Sequence, residues 1–137
     1  MMQILVPISV RSPYITVEYL YFPKPLSEVA GRPMIELVVT QLKRQFPAAA
    51  FTFVLDRDEA RSFSLDRTLE LAAGPGAQTV ERLGETSGAL CSCLLAIDAL
   101  DMDAPLIISN SEQIIDTDLA GHIQRIEKSG ARAGKIK

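Results

Sequence analysis

A lysine set between two prolines, Pro23-Lys24-Pro25, is the side chain of this sequence best placed to meet an anion. The flanking rings stiffen the backbone, so little entropy is lost when the ammonium engages phosphate oxygens. By residue type alone Lys24 is also an ordinary solvated loop lysine. A second group is Thr86-Ser87-Gly88-Ala89-Leu90. Either hydroxyl can cap a helix, and a helix start presents unpaired N–H groups to carbonyl or phosphate oxygens, with Gly88 allowing close backbone approach. The same residues also read as a cap followed by a small-residue packing face. A third group follows an apolar run, Ile107-Ile108-Ser109-Asn110-Ser111-Glu112, where Glu112 is either a hard oxygen ligand for a divalent cation or a surface turn residue. Asp56, after Phe51 to Leu55, stands where open α/β sheets meet their ligands, and also reads as a plain turn aspartate.

Other chemistries are poorly served. Cys91 and Cys93 are separated by one residue, which fits neither a redox pair nor half of a zinc site, so both are expected to be buried thiols. The single histidine, His122, has no second histidine or cysteine beside it and reads as a packing or surface residue. Fourteen basic residues against seventeen acidic ones give a net charge of -3, which provides no electrostatic footprint for nucleic acid or an anionic membrane. The opening apolar run is cut by Pro7, too early for a signal core or a membrane span, so a soluble, cytoplasmic chain is expected.

The elements that must position these residues follow from hydrophobic patterning. With 137 residues, 47% of them hydrophobic, the chain reads as one domain with a real core. Residues 3–8 form a short branched run typical of a strand buried on both faces. Residues 33–46 carry Met34, Ile35, Leu37, Val38 and Leu42 at helical spacing, with Pro33 suited to the first turn. Residues 51–55 read as a second strand, 58–73 as partly helical up to Gly74-Pro75-Gly76, and 78–83 as a third strand. A helix capped by Thr86 or Ser87 is expected to run through Ile97 with Leu90, Leu94, Leu95 and Ile97 turned inward. Residues 105–109 give the next strand. Residues 116–128 give a closing helix, with Asp118 near its start and Leu119, Ile123 and Ile126 on its apolar stripe. Strands alternating with helices at these lengths predict a mostly parallel sheet covered by helices, the three-layer Rossmann-like α/β arrangement.

Three segments, in order, resemble the sugar-phosphate nucleotidyltransferases, which join a nucleoside triphosphate to a sugar 1-phosphate and release pyrophosphate. Phe22-Pro23-Lys24-Pro25-Leu26, with Val29-Ala30-Gly31-Arg32-Pro33-Met34-Ile35, is similar to the family's lysine loop and the helix behind it. Glu85-Thr86-Ser87-Gly88-Ala89-Leu90 is similar to the segment that receives the nucleotide base. Leu106 to Gln113 resembles the strand end that carries a magnesium-binding aspartate, a position held here by Glu112. The resemblance implies a GT-A-like domain with Lys24 as catalytic residue, Thr86, Gly88 and Ala89 at the nucleotide, and Mg2+ at Glu112.

The likeness is incomplete. Where the family has two glycines and an arginine in its phosphate loop, this sequence has Val10, Ser12 and Tyr14, with Pro13 removing one N–H donor. Arg11 is the nearest residue able to replace the missing positive charge and is counted with the nucleotide-binding set. The resemblance covers the amino-terminal half of a family domain only, and the second metal-binding carboxylate and the sugar-phosphate lysine have no counterpart. Two readings follow: a nucleotidyltransferase-like protein, weak or inactive as an isolated chain; or a noncatalytic binding module or half of a split enzyme, for which a homo-oligomer or a complementing chain is expected at an exposed sheet edge.

Overall fold

A computed structural model describes residues 1–8, 28–84 and 86–135. Four strands, β1 (Gln3–Pro7), β4 (Ala50–Asp56), β5 (Gln78–Arg82) and β6 (Leu106–Ile108), form one sheet in the order β5-β4-β1-β6. Every pairing in it is parallel, and Gln3 stands opposite Ala50 on one side and Leu106 on the other. Parallel neighbours need crossover connections, and the intervening helices supply them. These are α1 (Met34–Gln45), α2 (Arg57–Phe63), α3 (Leu65–Ala73) and the short α4 (Ala89–Leu94), with α5 (Leu119–Lys128) following β6.

Before α1, β2 (Glu28–Val29) and β3 (Arg32–Pro33) make a small antiparallel hairpin. Its two turn residues, Ala30 and Gly31, both have positive φ, at 53° and 78°, which matches the twist of a tight hairpin and explains glycine at the second position. The expected α1 is present with Pro33 just before it, and Ile35, Val38, Val39 and Leu42 are its buried stripe.

The period-2 alternation of strand side chains divides the core in two. On one face Ile4, Val6, Ile8, Phe51, Phe53 and Leu55 pack under α1, α2, α3 and α5, sealed by Leu65, Leu69 and Leu119. On the other, Leu5 and Val54 meet Cys93 and Ala96 from α4 and the turn after it, with Val80 and Leu100 at the margin. The arrangement is therefore the expected three-layer α/β fold, with the second helical layer thin among the described residues.

Side-chain amides of three glutamines tie distant parts together by pairing with main chain. Gln3 donates to the Asp101 carbonyl and accepts from its N–H, both at 2.8 Å. Gln41 makes the same two-way contact with Ile115. Gln45, one turn further along α1, accepts from the N–H groups of Leu119 and Ala120 at 2.7 and 3.2 Å, so a residue of α1 satisfies donors at the start of α5. Asp118 caps the same helix through the Gly121 N–H at 2.9 Å, as its position in the sequence suggested.

The region 58–73 is two helices rather than one. Ser64, in the left-handed conformation at φ 51°, closes α2 through its N–H to the Ala60 carbonyl and turns the chain into α3. Helix α4 corrects the expectation for residues 86–97. It spans six residues, its cap is Gly88, which provides no side-chain bond, and Leu90 and Leu94 are 72% and 65% exposed. Leu95 and Ile97 are also exposed, and the residues facing the sheet are Ser92, Cys93 and Ala96. Small side chains of α4 and the turn after it are therefore the ones that pack on Leu5 and Val54. Of the two thiols expected to be buried, Cys93 is and Cys91 is exposed.

Candidate functional site at the carboxyl edge of the sheet

The chain runs from β1 outward to β4 and β5, then returns to lay β6 on the other side of β1. The reversal makes the carboxyl ends of β1 and β6 a topological switch point, the position where open α/β sheets take their ligands. Lys24 and Arg11 follow β1 in the sequence and lie outside the described residues, as do Val10, Ser12, Pro13, Tyr14 and Glu85.

On the β6 side of the switch point, the ladder continues one step past the strand through the Ser109 N–H to the Leu5 carbonyl at 3.0 Å. The side chain of Asn110 then accepts from the Glu112 N–H at 2.8 Å, a local turn that sets Glu112 at the strand end with Ser111 buried beneath it. Glu112 thus follows the carboxyl end of β6. Among the described residues no group of three or more acidic, histidine or cysteine side chains is placed to hold a metal ion.

At β4 the carboxylate of Asp56 is the N-cap of α2. It accepts from the N–H groups of Asp58 and Glu59 at 3.0 and 3.2 Å, which gives the aspartate a structural task. The neighbouring Arg57 pairs with Glu81 of β5 at 3.1 Å, an exposed contact of small energetic weight.

Between β5 and α4 lie Thr86, Gly88 and Ala89, neighbours in sequence at the start of the short helix. Gly88 has φ 142° and ψ 175°, a region open only to glycine, while a Cβ there would meet nothing within 4 Å. Its glycine is therefore required by the backbone angle and not by crowding. The Thr86 hydroxyl donates to the Gly88 carbonyl at 3.1 Å and lies 2.6 Å from the hydroxyl of buried Ser92, which in turn receives Arg82 Nη1 at 3.2 Å. Because β5 and β6 are the two outer strands, this cluster and Glu112 stand about 14 Å apart at ordinary strand spacing, so they can contact only different parts of one ligand. Ser92 and Arg82 were missed from sequence. The signal was the alternation in β5, which turns Arg82 to the same side as Val80.

A cleft of about 480 Å³ opens between β6, α1 and α5, lined by Val38, Ile107, Ile123 and Ile126 and bordered by His122. The histidine is half-buried there.

Burial pushes the Cys93 thiol above its ordinary value, because the low-dielectric surroundings disfavour the thiolate. Alkylation with iodoacetamide near neutral pH is expected to modify Cys91 at the rate of a free thiol and Cys93 at least tenfold more slowly, read by mass spectrometry. Equal rates would show that α4 does not stay on the sheet. The same shift makes the folded state bind a proton that the unfolded chain releases, so this thiol's contribution to stability declines as pH rises through the ordinary thiol value.

A parallel sheet with a switch point between β1 and β6, layered by helices, defines the class as a three-layer α/β domain. No family model matches the sequence, and a search of curated proteins finds no match. Solved structures do match in fold. A 4-diphosphocytidyl-2C-methyl-D-erythritol synthase from Anaerococcus prevotii superposes with a TM-score of 0.62 at 12% identity, over 93% of this chain and 51% of that one. A CMP:2-keto-3-deoxy-manno-octonic acid synthetase complexed with CTP gives 0.63 at 18% identity, over 95% and 48%. A nucleoside-diphosphate-sugar pyrophosphorylase from Vibrio cholerae gives 0.62 at 18% identity, over 89% and 53%. The chain therefore has the fold of these enzymes and spans about half their length. Among the described residues no helix is long and apolar enough to cross a membrane.

Proposed function

We propose that this chain is a nucleotidyltransferase-like protein that binds a nucleotide across the carboxyl edge of its sheet and, as an isolated chain, turns over weakly or not at all. The observation that supports this most directly is the glycine-only turn at Gly88, set with Thr86 and Ala89 on the carboxyl edge of a sheet ordered β5-β4-β1-β6. The matched enzymes, one of them holding CTP, share that fold.

In this reading Thr86, Gly88 and Ala89 face the nucleotide, and Lys24 and Arg11 supply charge for its phosphates. The acceptor class is a sugar 1-phosphate, whose oxygen would attack the α-phosphorus and release pyrophosphate. Magnesium suits Glu112, since that ion commonly takes one or two carboxylates and completes its shell with water and substrate phosphate oxygens. When bound it would offset charge on the transferring phosphoryl group. Weak turnover follows from the sequence after β1, where Val10, Ser12 and Pro13 replace a glycine-rich cradle.

Titration with CTP, UTP, ATP and dTTP in magnesium is expected to show saturable binding of at least one of them. Pyrophosphate release with a panel of sugar 1-phosphates is expected to stay near background. Silence with every nucleotide would remove the reading. Turnover at about 1 s⁻¹ or faster would remove its weak-activity part.

A second reading, a binding module or half-enzyme completed by another copy or a complementing chain, is favoured by β6. It is an outer strand, with Leu106 and Ile108 exposed at 42% and 50%. An open apolar edge of this kind favours strand addition. A single monomeric mass by light scattering across the concentrations used for binding would count against it.

A further inference from the structure

The guanidinium of Arg82 is unusual for what it lacks. Arginine has five N–H donors in a planar fork, and burying some of them normally requires acceptors, above all a carboxylate. Here Nε is sealed from solvent and has no hydrogen-bond partner. The one bond formed is from Nη1 to the neutral Ser92 hydroxyl at 3.2 Å. The nearby carboxylates are committed elsewhere: Asp56, directly opposite Arg82 in the β4–β5 register, caps α2, and Glu81 pairs with Arg57.

The hydroxyls beyond Arg82 reinforce this imbalance. Thr86 donates to the Gly88 carbonyl, so the short contact between Thr86 and Ser92 leaves Ser92 as its donor, and Ser92 accepts from Arg82. Every proton in the series points away from the guanidinium and toward the Gly88 turn. No anion answers the positive charge at its origin among the described residues.

We propose that Arg82 is an oxyanion-binding residue, and that the β5 end of the site takes a phosphate group, held by the guanidinium fork and coupled through Ser92 and Thr86 to the Gly88 turn. Arginine is suited to this because its fork matches two oxygens of one phosphate. The inference rests on the nucleotide reading above and alters it at one point, placing a phosphate contact, separate from Lys24 and Arg11, at the end of the site that the resemblance gave to the base. The phosphate can belong to a nucleotide or to a sugar phosphate, and the measurement separates the two.

The test titrates the full chain with CTP, cytidine, glucose 1-phosphate and inorganic pyrophosphate by calorimetry, in the wild type and in Arg82→Gln and Arg82→Lys. The expected result is at least a tenfold loss of affinity in Arg82→Gln for whichever phosphate-bearing probe binds, and a smaller loss in Arg82→Lys, which keeps the charge without the fork. Any cytidine binding is expected to be unchanged.

A measurement on the unmodified protein guards against misfolded variants. The Arg82 Nε–H resonance, shielded from exchange by burial, is expected to shift on addition of pyrophosphate or of the phosphate-bearing probe that binds. Unchanged CTP affinity in folded Arg82→Gln, or a resonance unmoved at saturation, overturns the proposal and leaves the nucleotide reading standing. Arg82-dependent binding of glucose 1-phosphate or pyrophosphate without any nucleotide binding supports the proposal and removes that reading. Failure of every probe to bind removes both.

Discussion

Phe53→Ala is expected to lower the unfolding free energy by about 3–5 kcal/mol, the range for removing an aromatic ring from a packed interior. Phe53 lies in β4 between β1 and β5, with no exposed surface, and its ring stacks beside Phe51 with centroids 6.0 Å apart. It faces the larger of the two apolar clusters, the one that joins α1, α2, α3 and α5 to the sheet. Against a total of about 5–15 kcal/mol for an ordinary domain, the variant would be marginal at room temperature. Urea unfolding followed by circular dichroism gives the difference directly. A loss below about 1 kcal/mol would mean that this face of the sheet is not close-packed.

Gly88→Ala is the second substitution with a large expected effect, on the order of 1–3 kcal/mol, because its φ of 142° with extended ψ is a region that side-chain-bearing residues avoid. The surroundings make the mechanism separable. A Cβ at Gly88 meets nothing within 4 Å, so the cost belongs to the backbone and Gly88→Ser is expected to match Gly88→Ala. Either variant relieves itself by rotating the turn, which breaks the bond from Thr86 to the Gly88 carbonyl and moves the proposed nucleotide contacts. Paired thermal melts and CTP titrations are expected to show both losses together. Full stability with full binding would show that the turn tolerates ordinary residues and has no special geometry.

Much of the sheet was legible because its strands are short runs of branched and aromatic residues separated by well-marked breaks. Gln3–Pro7 and Ala50–Asp56 fall within a residue of their expected bounds at most ends, and Met34–Gln45 begins right after the proline that marked it. The orientation of α4 was not legible. Hydropathy places leucines inward, yet Ser92, Cys93 and Ala96 are buried and Leu90 and Leu94 exposed, because a helix of six residues is too short for its apolar spacing to fix which face it presents.

The amide contacts of Gln3, Gln41 and Gln45 were equally hidden. A glutamine on a helix reads as solvated surface, and its partners here are main-chain groups more than seventy residues away in sequence, which no local pattern reveals. Thr86, Gly88, Ala89 and Glu112 lie at the carboxyl edge because they follow β5 and β6, whose ends the sequence marked. Arg82 was overlooked because the alternation in β5 gives only the face it takes, while the missing hydrogen-bond partner that sets it apart is not written in the sequence.

The position of β1 has a bearing on how the molecule comes into being. It precedes both of its neighbours along the chain, which begin only at Ala50 and Leu106. An apolar strand must therefore wait until Leu106 has been made before its second edge is satisfied, and long-range parallel pairing of this sort assembles slowly. The interval before Leu106 emerges is when the nascent chain is most exposed to wrong pairings, and when a holding chaperone would have most to protect.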